Sequence, residues 1–252
     1  MIKTLILVCC LGLLSFAQQQ KPRIYIIGDS TVRNSNEQFW GWGSLLSEFL
    51  DTAAISIENH AMAGRSTRTF RKEGRWHRVD SLMKPGDYLL IQFGHNEGST
   101  PDTSRQGYRG VLRGIGQDSV VLHWADGQQE VVRTYGENIR RFVREAKQKG
   151  VTPIILSMIP RNQWDESGRV KRADQDFGLW AKQIAEQEQV GFINLNEITA
   201  AKYDRLGPAL VKKTYFPGDH THTNYEGARE NAASVAEGII VTNSPLKKYI
   251  KP

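Results

Sequence analysis

A serine hydroxyl attacks a carbonyl only when a base takes its proton, and the base needs a third group to fix its tautomer and stabilise its charge. One set of residues in this sequence suits that division of labour. Ser30 ends Ile24-Tyr25-Ile26-Ile27-Gly28-Asp29-Ser30, where an apolar run breaks off abruptly. Near the other end, Asp219-His220-Thr221-His222 follows Pro217-Gly218. An Asp three positions before a His in a loop can fold back and accept from the ring. His222 is therefore expected as the general base for Ser30, and Asp219 as its orienter. His220 competes, but adjacency to Asp219 makes the same hydrogen bond harder to form. Two histidines could also be metal ligands, yet no third ligand lies nearby, so no metal is expected. Taken alone, Gly28-Asp29-Ser30 is equally well read as a helix cap, a place where Asp and Ser are favoured.

Acyl transfer also needs donors aimed at the developing oxyanion, each worth roughly 10²–10³ in rate. The backbone N–H of Ser30, that of Gly64 within Asn59-His60-Ala61-Met62-Ala63-Gly64-Arg65-Ser66, and the side chain of Asn96 are the candidates. The plainer alternatives are a turn glycine and a loop cap. Asp29 stands beside the nucleophile. Arg65, Arg68 and Arg71 could face an acidic substrate, and Trp40 and Trp42 could offer an aromatic face to a sugar. Solvated arginines and core tryptophans are the alternatives. His95 could support the Asn96 loop or simply be buried.

These residues need a scaffold that gathers them. Apolar runs at 24–27, 55–61, 87–93, 153–158 and 192–195 read as strands, and amphipathic stretches at 42–50, 75–83, 136–149, 174–187 and 225–240 as helices. The alternation predicts an α/β fold: a three-layer α/β/α sandwich on a five-stranded parallel sheet. Ser30, Asn59 to Ser66 and Gly94 to Glu97 would then all follow strand ends, where such sheets place their ligands. Residues 98–135 break the pattern. They contain a Gly- and Arg-rich loop and a hairpin, 120–124 with 130–133, around Asp126-Gly127. This insertion is either a substrate wall or a passive embellishment.

Residues 1–17 have the features of an export signal: Lys3, the apolar run Leu5 to Leu14, and Ser15-Phe16-Ala17 at the cleavage position. Export to the periplasm or medium is expected, with a single domain over 18–252 and no membrane span. Cys9 and Cys10 raise a lipoprotein alternative, but they lie inside the apolar run. Cleavage would remove both cysteines, excluding disulfides and thiol chemistry. The remaining chain carries +5, with 32 basic against 27 acidic residues. That surplus suits an anionic partner or simply a solvated surface, and nothing points to nucleic acid.

Gly28-Asp29-Ser30, Gly64, Gly94-His95-Asn96 and Asp219 to His222 resemble, in order and rough spacing, the blocks of the GDSL/SGNH hydrolases. Within that superfamily the sequence is most similar to the rhamnogalacturonan acetylesterases of carbohydrate esterase family 12. The likeness rests on Gly28-Asp29-Ser30-Thr31-Val32, Gly41-Trp42-Gly43, Asn59-His60-Ala61, Gly64-Arg65-Ser66 and Asp219-His220-Thr221-His222-Thr223. The resemblance implies a flavodoxin-like fold and cofactor-free removal of acetyl groups from pectic polysaccharide or its oligosaccharides. Glu97 departs from it, since that group usually has Asp after Gly-His-Asn. A lipase or thioesterase of the same superfamily is one alternative, and a non-catalytic carbohydrate-binding relative is another. Oligomeric state is not legible.

Overall fold

The computed structural model describes residues 21–34 and 38–252; the expected export signal lies outside them. Among the described residues seven strands form in chain order: β1 (Arg23–Gly28), β2 (Ser56–Asn59), β3 (Tyr88–Gln92), β4 (Ser119–His123), β5 (Gln129–Arg133), β6 (Thr152–Leu156) and β7 (Gly191–Ile193). The helices are α1 (Thr67–Lys72), α2 (Arg75–Leu82), α3 (Tyr135–Gln148), α4 (Phe177–Glu188), α5 (Leu195–Leu206), α6 (Pro208–Tyr215) and α7 (Tyr225–Val241). Five strands pair in parallel in the order β2-β1-β3-β6-β7, the central sheet of a three-layer α/β/α fold.

Successive strand residues point to opposite faces, and both faces of this sheet are covered, so the strands read as unbroken apolar runs. Ile24, Ile26, Leu90, Ile154 and Leu156 pack on one side against Ala228, Ala232, Val235 and Ile239 of α7. Tyr25, Ile27, Leu89, Ile91 and Ile155 pack on the other, against Phe70, Trp76, Val79, Phe142, Val143 and Ile184 of α1 to α4. Register aligns Gly28 with Gln92 and Ile26 with Asn59, so β1, β2 and β3 end along one edge.

The helix expected over 42–50 does not form. Two single 3₁₀ turns, Trp42–Ser44 and Leu46–Glu48, take its place. Here the N–H of Trp42 donates to Thr31 O and that of Gly43 to Val32 O, so these groups serve the turn after β1 instead of a helix. Gly41 is pressed so close that a Cβ would lie 2.3 Å from the carbonyl carbon of Val32. The strand expected over 192–195 stops at Ile193, because Asn194 caps α5 by accepting from the N–H of Glu197. Helices α1, α5 and α6 were not anticipated; α1 is marked by Ser66 and Thr69, which exchange capping bonds.

The hairpin expected after β3 is present, with β4 and β5 antiparallel around Asp126-Gly127. Arg68 of α1 fastens it. Its guanidinium pairs with Glu130 of β5 at 2.7 Å and donates to the carbonyls of Gly107 and Gly110, each at 3.0 Å.

Candidate active site

The turn after β1 is built from below. The carbonyl of Asp29 accepts from the N–H groups of Val32 and Arg33 at 3.2 and 3.0 Å. Its Oδ1 accepts from the N–H and hydroxyl of Thr31 at 2.9 and 2.8 Å, an Asx-type closure. The Thr31 hydroxyl accepts from Gln92 Nε2, and Gln92 Oε1 accepts from Trp42 Nε1, both at 2.8 Å. All four residues are buried, so the chain Trp42–Gln92–Thr31–Asp29 holds the backbone on which Ser30 sits. This corrects two expected substrate contacts. Asp29 and Trp42 are both fully buried and occupied in supporting the serine, and Trp42 offers no face to a sugar.

Ser30 Oγ lies 2.8 Å from His222 Nε2, and His222 Nδ1 lies 2.7 Å from Asp219 Oδ2. Asp219 Oδ1 accepts from the N–H groups of Thr221 and His222 at 2.6 and 2.7 Å. Partial burial pushes the Asp219 carboxyl up, but the ring of His222 and those two N–H donors outweigh it and hold it below the ordinary carboxylate range. An ionised acceptor thus faces Nδ1, leaving Nε2 for the serine proton. His220, the competitor, turns elsewhere. Its Nε2 faces Arg161 Nη1 at 3.2 Å, and its carbonyl accepts from the N–H of Asn162.

Gly64 adopts φ +77°, a conformation that side chains disfavour. Among the described residues neither its N–H nor that of Ser30 has a backbone acceptor. Asn96 is oriented by three bonds. Its Nδ2 donates to Arg65 O at 3.0 Å, its Oδ1 accepts from Arg109 Nη1 at 3.0 Å, and its N–H donates to Glu97 Oε2 at 2.9 Å. The longer carboxylate of Glu97 does reach across the loop, its Oε1 accepting from the N–H of Thr67 at 2.8 Å. Burial, then the charge of Asp29, push the Glu97 carboxyl up to about 8, against the pull of backbone N–H donors. Burial likewise pushes His95 down to about 4, and among the described residues neither of its ring nitrogens has a hydrogen-bond partner. A neutral ring thus lies beside the Asn96 loop.

The other expected substrate arginines are also engaged. Arg65 pairs with Glu73 at 2.9 Å and donates to Ala63 O. Arg68 is nearly buried in the grip described above. Arg71 pairs with Glu145 and lies over the rings of Trp76 and Phe142. Adjacency to the glycine motif suggested substrate contact, whereas α1 turns Arg68 and Arg71 toward the insertion and α3.

The cations that do flank the site escaped notice. Arg109 reaches Asn96 from the insertion. Arg161, just beyond β6, donates to Thr221 Oγ1 at 2.8 Å and to His95 O at 3.2 Å, joining the histidine loop to the Asn96 loop. Of the two tryptophans considered, Trp40 is the one at the surface, 36% exposed against 0% for Trp42. Its ring meets Tyr225 edge-on at 5.3 Å, and the neighbouring Phe39 ring lies 5.4 Å from that of His222. The position of Gln92, a polar residue closing an apolar strand, was a usable signal. Arg161 had none, being distant in sequence from every motif, and Tyr225, just past the histidine motif, read only as the start of the last helix.

Comparison with known proteins agrees with this geometry. The GDSL-like lipase/acylhydrolase family matches residues 26–230. A rhamnogalacturonan acetylesterase of Emericella nidulans is 31% identical over 227 residues, covering 90% of this chain and 88% of that one. The rhamnogalacturonan acetylesterase RhgT of Bacillus subtilis is 29% identical over 248 residues, covering 92% and 95%. Among solved structures, YxiM of Bacillus subtilis superposes with a TM-score of 0.71 at 24% identity, over 89% of this chain and 58% of that one. Axe2, an acetylxylan esterase from Geobacillus stearothermophilus, gives 0.58 at 19% identity, over 86% and 94%, and with YxiM speaks to the fold alone. With its serine, glycine, asparagine and histidine gathered at one sheet edge and its length matched from first strand to last helix, the chain belongs to the GDSL-like lipase/acylhydrolase family and is a carboxylic ester hydrolase.

Proposed function

We propose that this protein is an exported O-acetylesterase that deacetylates acidic pectic polysaccharide, rhamnogalacturonan foremost, by a serine acyl-enzyme mechanism. The observation that carries the reading is the unbroken chain Ser30 Oγ–His222–Asp219, at 2.8 and 2.7 Å, at a sheet edge that also carries the oriented Asn96 amide and the N–H groups of Ser30 and Gly64, which have no backbone acceptor among the described residues. Ser30 Oγ attacks the acetyl carbonyl while its proton passes to His222 Nε2. Asp219 stabilises the imidazolium so formed. The N–H groups of Ser30 and Gly64 and the Asn96 amide take the oxyanion. Collapse of the tetrahedral species breaks the ester C–O bond, and His222 returns the proton to the departing sugar oxygen. A water molecule, deprotonated by His222, then releases acetate from the serine.

The substrate class is supported by the two relatives named for rhamnogalacturonan and by the surplus of positive charge. The exposed Trp40–Tyr225 pair beside the His222 loop offers an apolar face to a sugar ring. Acetate release from acetylated rhamnogalacturonan, by the protein and by Ser30→Ala, with acetylated xylan as control, is the test. Release from the pectic polymer alone, lost in Ser30→Ala, is expected. Equal release from xylan would remove the substrate assignment, and release by Ser30→Ala would remove the mechanism.

A further inference from the structure

The insertion that follows Glu97 reaches the Asn96 side chain through Arg109. Arg109 Nη1 donates to Asn96 Oδ1 at 3.0 Å, and the same nitrogen would lie 4.0 Å from a Cβ on Gly64. The guanidinium therefore stands beside both Asn96 and Gly64. A guanidinium has only donors and a carbonyl oxygen only accepts, so Arg109 on one side and Arg65 O on the other permit one orientation of the Asn96 amide. Its oxygen faces Arg109 and its NH₂ faces away, with one N–H taken by Arg65 O and the second left to donate. Turned the other way, the amide would present a lone pair where negative charge develops.

Besides Asn96, Arg109 has the ring of Tyr108 as a neighbour, its centroid 5.9 Å away. Among the described residues its guanidinium makes a single hydrogen bond, the one to Asn96, and its buried Nε has no acceptor. The segment carrying it is gripped on both sides, at the carbonyls of Gly107 and Gly110, by buried Arg68. The cation is thus held in place and, among the described residues, pairs with no carboxylate. Its charge polarises the Asn96 amide, and hydrogen bonds in such chains strengthen one another by about 10–30%.

We propose that Arg109 is a positioning residue for the oxyanion hole: the insertion supplies the cation that sets the orientation and donor strength of Asn96. This rests on the reading of Asn96 as an oxyanion donor. A neutral ester, p-nitrophenyl acetate, separates the effect from any attraction of an acidic polymer. Kinetics of the wild type, Arg109→Met, Arg109→Lys, Asn96→Ala and the double variant Arg109→Met/Asn96→Ala test it. Arg109→Met is expected to lower kcat about 10–100-fold with KM within about twofold, and Arg109→Lys to restore part of the loss. In the Asn96→Ala background the same substitution is expected to cost less than about threefold, because its route of action is gone. An equal cost in both backgrounds, a rise in KM alone, or no loss would overturn the proposal. If Arg109→Met melts early, Arg109→Lys, alone and with Asn96→Ala, supplies the same comparison. Full activity in Asn96→Ala would instead remove the oxyanion assignment, and full activity in Ser30→Ala the mechanism itself.

Discussion

Asp219 divides its two oxygens between jobs, one accepting from backbone N–H groups and the other from the ring of His222. Asp219→Asn would keep the first and turn an NH₂ toward Nδ1, favouring the tautomer that carries the proton on Nε2. A fall in kcat of roughly 10³–10⁴ with the fold intact is expected, measured on p-nitrophenyl acetate. Trp42 contributes through its indole N–H. Trp42→Phe would strand Gln92 Oε1 in the core, at a cost of about 1–3 kcal/mol in denaturant unfolding, and would loosen the Ser30 turn, lowering kcat more than it changes KM. Glu97 gives a pH signature. Its pKa rises from 4.5 to about 8 on folding, so the folded state keeps a proton that the unfolded chain releases. That contribution to stability is complete below about pH 4.5 and is lost as pH rises through 8. Glu97→Gln cannot ionise, so its melting temperature should depend less on pH across this window than that of the wild type. Parallel slopes would place the titration elsewhere.

At the scale of elements, α1 acts as the clasp between the sheet and the insertion. Arg68 and Glu130 form a pair that is largely withdrawn from water, with side chains 3% and 13% exposed. Removing one partner of such a pair typically costs about 3–5 kcal/mol, so Arg68→Ala should lower the unfolding free energy by that order. It should lower kcat as well, since the Gly107 and Gly110 carbonyls that bracket Arg109 lose their donor. Loss of stability with kcat unchanged would leave the clasp purely structural. This element was half legible. The Asp126-Gly127 turn between β-branched runs announced the hairpin, but α1 is only six residues long and too short for a periodicity to show. The 3₁₀ turns at 42–48 were hidden for a related reason. Leu45, Leu46, Phe49 and Leu50 have helical spacing, yet their local preference yields to backbone bonds with Thr31 and Val32.

Across the whole molecule, the proposed action of a basic chain on an acidic polymer should respond to salt. KM for the polymer is expected to rise with ionic strength while p-nitrophenyl acetate hydrolysis changes little, since screening acts on charge over distances of about 8–10 Å. The same slope for both esters would remove charge attraction from substrate binding. The architecture was legible because a parallel sheet covered on both faces imposes apolar strands alternating with amphipathic helices. That is a local pattern, visible residue by residue. The pairing of Asp219 with His222 was legible too, because three residues of loop determine it. What the sequence by itself determined was therefore the fold class and the set Ser30, Asp219 and His222 that the structure brings together. Only the tertiary structure decided which arginines and aromatics stand at the site. Arg68 and Trp42 sit beside the motifs in sequence yet are buried beneath them, while Arg109 and Arg161 arrive from separate segments. The physical reason is that the direction of a side chain depends on the packing of its element against distant ones, and no stretch of sequence carries that information alone.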